Sequence, residues 1–201
     1  MNDLAGVSRE TIERLEHYAS LLRKWNAQIN LVATSTLADL WTRHIADSAQ
    51  IYQLALHPVR HWVDLGSGGG FPGLVIAIMG LESGSPQRAT LVESDARKCA
   101  FLRTVIRETG ARAKVITNRI ESTPELAADA LSVRALSDLT SLMPHFVRHL
   151  SPQGTAFVLK GANWKKELEE AQTKWKFTYR LDKSMTQAGS VVLSIRGVSR
   201  A

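Results

Sequence analysis

The chain has 201 residues, of which 44% are hydrophobic and 22% charged, and its formal net charge is +6. This is the composition of one folded domain with an appendage, long enough to bury a core. We expect neither a membrane span nor a secretory leader, because no run of about 18 apolar residues occurs and residues 1–10 lack a basic stretch before an apolar core. The single cysteine, Cys99, cannot form an internal disulfide bond. A reducing, cytoplasmic location is therefore expected.

The positive charge is concentrated near the C-terminus. Residues 160–201 contain nine lysines and arginines against four acidic residues, a net charge of +5, which leaves +1 for the rest of the chain. A local excess of positive charge suits a polyanion such as nucleic acid. Basic tails are also common as solvated surface, so charge alone leaves a nucleic-acid partner open.

The N-terminal part of the chain predicts helices. Ser8 can cap a helix whose apolar residues recur at intervals of three and four. Two further helices are predicted, over 36–41 and over 47–56. We interpret residues 1–58 as an N-terminal helical cap.

A polar segment separates the second and third of these predicted helices. It contains Arg43 and His44 and is followed by Asp47 and Ser48. A histidine among charged residues is usually exposed and without a role. Because the cap would lie over the ends of the strands predicted below, this segment is also a candidate for contact with a substrate.

The most distinctive stretch reads His-Trp-Val-Asp-Leu-Gly-Ser-Gly-Gly-Gly-Phe-Pro-Gly, from His61 to Gly73. An apolar run ends in glycines, and Pro72 then opens a second apolar segment, which predicts a strand, a tight turn and a helix. Five of the eight residues from Gly66 to Gly73 are glycine, which lets the backbone close on a ligand. We expect a nucleotide-like binding site here.

Two classes of cofactor could use such a turn. The spacing Gly68-x-Gly70-x-x-Gly73 satisfies the dinucleotide-binding pattern, although any glycine-rich turn before a helix can match it. Asp64, followed by Gly66-x-Gly68-x-Gly70, resembles instead the first motif of S-adenosylmethionine-dependent methyltransferases. In those enzymes the glycines accommodate the methionine part of the cofactor. A glycine-rich turn without any ligand is the third interpretation.

From residue 61 onward, strands and helices alternate, which is typical of an α/β fold with a parallel sheet. Strands are predicted over 61–65, 89–93, 113–117, 130–133 and 154–159, and helices over 72–82, 95–109, 121–127, 137–150 and 164–174. Two further strand-like runs, 176–181 and 190–196, flank a short polar loop and predict an antiparallel hairpin. This pattern resembles the Rossmann-like, seven-stranded sheet of class I methyltransferases. We assign residues 59–201 to that domain.

Ligands of such sheets bind beyond the carboxyl ends of the strands. Glu93 follows the second predicted strand, where a carboxylate can accept both hydroxyl protons of a ribose, although it could merely cap the next helix. Residues 118–121 follow the third strand and could hold adenine. Arg134 and Lys160 follow the fourth and fifth strands and could bind a carboxylate, a phosphate or a base. The alternative is that both cations are solvated.

Two motifs that this chain lacks indicate which methyl acceptors are disfavoured. The fourth predicted strand is not followed by an Asn/Asp-Pro-Pro-aromatic run, which disfavours methylation of an exocyclic amine. Cys99 lies inside a predicted helix, as a small buried residue would, which disfavours the cysteine-dependent methylation of base C5. A ring nitrogen such as guanine N7 has a free lone pair and no proton to lose, so its methylation can proceed by positioning alone.

Seven segments of the chain together resemble one family. They are Asn30-Leu31-Val32, Arg43-His44-Ile45-x-Asp47-Ser48, Asp64 through Gly73, Glu93-Ser94-x-x-Arg97-Lys98, Arg119-Ile120-Glu121, Ser132-Val133-Arg134-Ala135 and Leu159-Lys160-Gly161. Over about residues 10–196 the chain is similar to the RsmG family, also called GidB, of bacterial methyltransferases of small-subunit ribosomal RNA.

The resemblance implies transfer of a methyl group from S-adenosylmethionine to N7 of one guanine in 16S rRNA. With the motif residues included, the implied cofactor contacts are Asp64, Gly66, Gly68, Phe71, Glu93, Ile120, Glu121 and Arg134. We expect Arg134, Lys160 and His44 to position the substrate, without a general base. The expected partner is 16S rRNA or the small ribosomal subunit, and neither a metal nor a membrane is expected. A monomer is expected because no surplus apolar face is evident.

Two other functions stay open on the sequence. An NAD-dependent oxidoreductase would use Gly68-x-Gly70-x-x-Gly73 and would have a parallel final strand. A catalytically idle RNA-binding or assembly protein would keep the cofactor fold. Its RNA binding would be unaffected by substitution of Gly66 or Arg134.

Overall fold

The computed structural model describes residues 4, 6–55 and 58–201. The helices are α1 (Arg9–Asn26), α2 (Asp47–Leu54), α3 (Gly73–Ser83), α4 (Ala96–Thr109), α5 (Leu139–His149) and α6 (Trp164–Gln172), with 3₁₀ turns at Thr34–Thr36 and Ile120–Ser122 and a π-helix at Trp41–Ala46. The strands are β1 (His61–Leu65), β2 (Arg88–Glu93), β3 (Ala113–Thr117), β4 (Ala128–Arg134), β5 (Leu150–Lys160), β6 (Trp175–Lys183) and β7 (Val191–Arg200). All seven strands predicted from the sequence are present.

The strands form one sheet in the order β3-β2-β1-β4-β5-β7-β6. The first five are parallel, whereas β7 lies between β5 and β6 and is antiparallel to both. The antiparallel β7 is the strand that the oxidoreductase alternative required to be parallel. The strand order reverses between β1 and β4, and in open α/β sheets a crevice for ligands opens at such a point. The fold is therefore the predicted Rossmann-like, seven-stranded class I methyltransferase sheet with an antiparallel C-terminal hairpin.

Helices cover both faces of the sheet. Successive side chains of a strand point to opposite faces, so Trp62 of β1 contributes to one core cluster and Val63 to the other. The first cluster contains α1, α3 and α4 and includes the fully buried Phe101. The second contains α5 and includes Phe146. All five residues of β1 are buried, as a central strand covered on both faces should be.

The N-terminal helices pack on the first of these faces. Ser8 caps α1 as predicted, because its hydroxyl oxygen accepts a hydrogen bond from Thr11 N at 3.3 Å. Tyr18 of α1 donates its hydroxyl proton to the carbonyl oxygen of Gly69, which fixes the helix to the glycine-rich turn. The division of the chain at residue 58 stays a prediction, and Leu56, the predicted end of the third helix, lies outside the described residues.

The predicted break at Arg43 and His44 is wrong, and so is the predicted helix over 36–41. Only a 3₁₀ turn forms at Thr34–Thr36, and the π-helix, which contains Arg43 and His44, runs directly into α2. The prediction failed because the two polar residues interrupt the apolar face only in part: Leu40 before them and Ile45 after them are both fully buried. Helical packing therefore continues through the segment.

The predicted helix over 121–127 is also wrong. Only the 3₁₀ turn Ile120–Ser122 forms there. Thr123 has extended backbone angles, φ −78° and ψ 133°. It precedes Pro124, whose ring disfavours the helical conformation in the residue before it. Among the described residues, no helix is both long and apolar enough to cross a membrane.

Candidate functional site

A cavity of about 1070 Å³ opens at the carboxyl ends of the parallel strands. Nine residues singled out from the sequence line it: His44, Gly66, Gly68, Phe71, Glu93, Ile120, Glu121, Arg134 and Lys160. They come from the π-helix, the glycine-rich turn, the last residues of β2, β4 and β5, and the turn after β3. A cavity of this size can hold a nucleoside cofactor together with part of a substrate.

The glycine-rich turn after β1 requires glycine at its first position. Gly66 has φ +68°, in the left-handed region, and its amide and that of Ser67 both donate to Val92 O, at 2.9 and 3.0 Å. A Cβ atom at Gly66 would lie only 2.8 Å from Leu136 Cδ1. The missing side chain therefore leaves room for the segment after β4 to approach the turn.

Asp64 lies beneath this turn and, among the described residues, is the one predicted cofactor ligand that does not line the cavity. Its side chain is 1% exposed, and its Oδ1 accepts a hydrogen bond from Ser132 Oγ at 2.6 Å. A Cβ atom at Gly73 would lie 2.6 Å from Asp64 Cβ. Burial raises the pKa of this carboxyl to about 6. The structure thus places Asp64 as a support of the turn.

Glu93 faces the turn from the end of β2. Its Oε2 accepts from Gly68 N at 2.8 Å, and its Oε1 accepts from Ser94 N and Asp95 N at 2.7 and 2.9 Å. The cap of α4 is Asp95, which accepts from the amides of Arg97 and Lys98. The alternative role of Glu93 as a helix cap is therefore wrong, and the residue lies in the cavity wall.

The turn after β3 forms the next part of the wall. Asn118 holds it together, since its Nδ2 donates to Ser122 O and its Oδ1 accepts from Arg119 N, both at 3.0 Å. Ile120 is 9% exposed and offers an apolar surface, while the side chain of Glu121 is 69% exposed. An apolar surface beside polar backbone groups is what a flat base such as adenine needs.

Arg134 faces the glycine-rich turn from the end of β4. Its guanidinium lies over the ring of Phe71, 5.0 Å from the centroid, and its side chain is 19% exposed. Nη1 donates to Arg43 O at 3.4 Å and lies 3.9 Å from Asp47 Oδ2. Burial lowers the pKa of Arg134 and the nearby carboxylate of Asp47 opposes that shift, so the group stays charged at neutral pH.

Asp47 connects this arginine to the C-terminal hairpin. Its Oδ1 accepts from Thr186 Oγ1 at 2.5 Å and from Gln50 Nε2 at 2.8 Å. The Oε1 of Gln50 in turn accepts from Met185 N at 3.0 Å. The loop between β6 and β7 is thereby fastened to α2 and becomes one wall of the cavity.

His44 is a buried, neutral histidine. Its Nε2 lies 2.8 Å from Thr36 Oγ1, and that hydroxyl donates its one proton to Ala33 O at 2.7 Å, so Nε2 must be the donor in the first contact. Nδ1 is then an acceptor and has no partner among the residues described. Burial, with the nearby Arg134 and Arg43, lowers the pKa of His44 to about 4. His44 is therefore an acceptor at neutral pH.

Lys160 is 9% exposed and engaged on two sides. Its Nζ donates to Ser137 O at 2.6 Å and lies 2.7 Å from Glu167 Oε2 on α6. The interpretation of Lys160 as a solvated cation is therefore wrong. Its contacts are with the protein, so it can shape the cavity wall without binding a phosphate.

Residues 11–195 match the family model described as GidB, rRNA small subunit methyltransferase G. The chain belongs to this family. It is 50% identical over 194 residues to the ribosomal RNA small subunit methyltransferase G of Ruegeria sp. TM1040, covering 96% of this chain and 94% of that one. The protein of the same name from Paracoccus denitrificans is 50% identical over 97% of this chain and 99% of its own.

Solved structures of distant proteins share the fold of this family member. The ribosomal protein L11 methylase of Lactobacillus delbrueckii subsp. bulgaricus superposes with a TM-score of 0.61 at 13% identity, over 79% of this chain and 78% of that one. TYW2 of M. jannaschii, solved in complex with AdoMet, superposes with a TM-score of 0.59 at 13% identity, over 79% of this chain and 76% of that one. At such low identity the likeness concerns the fold alone.

Several cavity residues of this family member were missed from the sequence. Gln50, His145, Glu167 and the loop between β6 and β7 line the cavity. Glu167 lies on a polar, largely exposed helix, and nothing in its sequence context separates it from Glu169 and Glu170.

Cys99 is buried as predicted, with its Sγ donating to Glu93 O at 3.3 Å. The described residues contain no group of three or more His, Cys, Asp or Glu side chains that could hold a metal ion.

Proposed function

We propose that the protein transfers the methyl group of S-adenosylmethionine to N7 of one guanine in 16S ribosomal RNA. Membership of the rRNA small subunit methyltransferase G family supports the reaction and the RNA class. One structural observation carries the proposal: the glycine-rich turn, the Glu93 carboxylate and Arg134 line one cavity at the switch point of the sheet. A cofactor and an acceptor can therefore meet there.

The residues on one side of the cavity suit S-adenosylmethionine. Glu93 can accept the two hydroxyl protons of a ribose, and Gly66 and Gly68 have no side chains to exclude the methionine part. Ile120 offers an apolar surface to adenine, and Glu121 can accept from its amino group. Arg134 can hold the carboxylate of the cofactor through its guanidinium.

The residues on the other side suit an acceptor that needs no deprotonation. When bound, S-adenosylmethionine supplies an electrophilic methyl group. Guanine N7 presents a free lone pair, so the chain has only to orient the base in line with that methyl group. His44, which is neutral, packs against the ring of Phe71 with 5.0 Å between the ring centroids, and both are buried, so they can support the wall against which a base would lie. Neither would have to act as a general base.

The target base must leave its stack to reach this cavity, because A-form RNA hides base edges in its grooves. The basic C-terminal region, with a net charge of +5 over residues 160–201, can contact the phosphates around it. We propose 16S rRNA or the small ribosomal subunit as the partner, in the cytoplasm and with the enzyme as a monomer.

The test is transfer of labelled methyl groups from S-adenosylmethionine to unmodified 30S subunits and to bare 16S rRNA. Borohydride and aniline cleavage then locates N7-methylguanine. A single cleavage site in either substrate supports the proposal. A difference in methylation between 30S subunits and bare 16S rRNA shows whether ribosomal proteins contribute to recognition. Binding of the cofactor without any incorporation would favour an RNA-binding or assembly role instead.

A further inference from the structure

The loop that follows β4 forms the part of the cavity wall opposite the glycine-rich turn. It spans residues 135–138 and is exposed, and its first residue, Ala135, has φ +51°. Such a backbone angle is unfavourable for a residue with a Cβ atom and persists only where the surroundings impose it. Leu136 is 41% exposed, lines the cavity and lies against Gly66.

An ion pair between the buried Lys160 and the partly buried Glu167 holds this loop from beneath. Lys160 Nζ donates to Ser137 O at 2.6 Å, and the same Nζ lies 2.7 Å from Glu167 Oε2. Glu167 Oε2 also accepts from Leu139 N, the first residue of α5, at 2.9 Å. One carboxylate oxygen thus connects α6 to the end of β5 and to the segment directly after the loop.

This ion pair is poorly explained by stability. Taking two charges out of water costs about as much as their attraction returns, and replacing such a pair with uncharged residues is often neutral. The contacts are also concentrated at one place in the chain, since Lys160 binds Ser137 in the loop and Glu167 binds Leu139 directly after it. Both observations are explained if the ion pair serves to hold loop 135–138 in one position.

We propose that Glu167 is a positioning residue for methyl transfer, which acts through Lys160 to hold loop 135–138 so that Leu136 and Arg134 face the cofactor side of the cavity. This inference rests on the function proposed above. Glu167 reaches the cavity wall, but its Oε2 is engaged by Lys160 Nζ and Leu139 N, so we assign it a role through the loop. Its role is to fix the position of loop 135–138 in the wall of the cavity.

The test is a double-mutant cycle of Lys160→Met and Glu167→Gln, assayed on 30S subunits with saturating S-adenosylmethionine. Each single variant leaves a loosened loop and should lower kcat roughly 10- to 100-fold, as small misplacements of a reactive group do. The dissociation constant for S-adenosylmethionine, measured by calorimetry, should rise by a smaller factor than kcat falls, since Glu93 and the glycine-rich turn keep their own contacts while only Arg134 and Leu136 depend on the loop. The matched control is Glu170→Gln, which breaks the exposed Lys166–Glu170 pair on the same helix and should leave kcat unchanged.

The double variant separates positioning from folding. It removes both charges of the partly buried pair, so its thermal midpoint should return towards that of the wild type, while kcat should stay as low as in the single variants. If kcat returned together with stability, or if Glu167→Gln alone kept wild-type kcat, the inference would be overturned. Additive losses would overturn it too, because Lys160 would then act on substrate by itself.

Hydrogen exchange distinguishes failure of this inference from failure of the proposed function. The amides of residues 136–139 should exchange faster in Glu167→Gln than in Glu170→Gln, whatever the methyl acceptor is. A wild-type protein that methylates neither 30S subunits nor 16S rRNA would refute the proposed function. Unchanged exchange at residues 136–139 would refute the role of Glu167 independently.

Discussion

The two sides of the cavity are built in different ways. The cofactor side consists of short continuous segments, the glycine-rich turn with Glu93 and the turn that contains Ile120, and its contacts are mostly to backbone amides. The acceptor side brings together a π-helix, the ends of β4 and β5, helix α6 and the C-terminal hairpin. Its contacts are mostly between charged or polar side chains far apart in the chain.

This difference has energetic consequences. A backbone turn is determined locally, and a side-chain substitution in it disturbs mainly its own contacts. A network of partly buried charges is shared, so the loss of one member leaves others unpaired in a medium where that is costly. We therefore expect acceptor-side substitutions to be strongly coupled and cofactor-side substitutions to act more independently.

The largest effect should follow substitution of Arg134. Arg134→Ala removes the cation over Phe71 and the positive charge that lies 3.9 Å from the carboxylate of Asp47, so methyl transfer should fall about 100-fold. Labelled methyl incorporation at saturating cofactor measures the effect. Arg134→Lys keeps the charge but loses the planar guanidinium, so its methyl transfer should lie between that of the wild type and that of Arg134→Ala. Wild-type turnover in Arg134→Ala would remove this residue from the site.

Substitution of Glu93 should act on the cofactor. Glu93→Ala loses an acceptor for the ribose and for Gly68 N, and binding of S-adenosylmethionine should weaken by about 2 kcal/mol, as for hydrogen bonds to a charged group. Calorimetry measures the dissociation constant. Asp95→Ala is the control, since it removes the cap of α4 and an ion pair with Arg97 and should cost about 1 kcal/mol of folding stability while leaving cofactor affinity unchanged. Equal affinity in Glu93→Ala and wild type would disprove the ribose assignment.

The two sides should differ in the sign of their pH dependence. Asp64 has a folded pKa of about 6, above its unfolded value, so the folded state holds an extra proton between about pH 4 and 6 and loses stability as pH rises through that window. His44 has a folded pKa of about 4, below its unfolded value, so the unfolded state holds the extra proton and stability is lost as pH falls from about 6.5 to 4.

Urea unfolding of two variants between pH 4 and 7 tests this contrast. Relative to wild type, Asp64→Asn should gain roughly 2–3 kcal/mol on going from pH 4 to pH 7, because it removes the cost of a buried charge. His44→Gln should change in the opposite direction and gain relative stability as pH falls. If the free energy of unfolding of the wild type and of both variants changed with pH in the same way, neither Asp64 nor His44 would have the shifted pKa given above.

The smallest effect should come from the rim of the acceptor side. Thr186→Val removes one hydrogen bond to Asp47 and should lower methyl transfer a few-fold, corresponding to about 1 kcal/mol. Thr104→Val, which removes a hydroxyl bond to Ala100 O within α4, is the control. If the two variants behaved alike, the hairpin loop would have no part in placing Arg134.

The fold and the cofactor side were largely predictable from the sequence. The alternation of strands with helices, the glycine-rich turn and the terminal hairpin all correspond to elements of the structure. The helix predicted over 121–127 failed because Pro124 acts on the residue before it, which is itself a local rule that periodicity overlooked. The cofactor contacts of Gly66, Glu93 and Ile120 remain predictions, although all three residues line one cavity.

The sequence by itself determined the family, the fold class and the order of elements, because these depend on local backbone preferences and on patterns that short segments carry. Tertiary structure alone decided that Asp64 lies under the turn, that Asp47 links Arg134 to Thr186, and that Glu167 rather than its helical neighbours pairs with Lys160. These contacts join residues up to 139 positions apart in the chain. Which polar groups meet is settled by packing, since a buried charge can persist only where a partner reaches it.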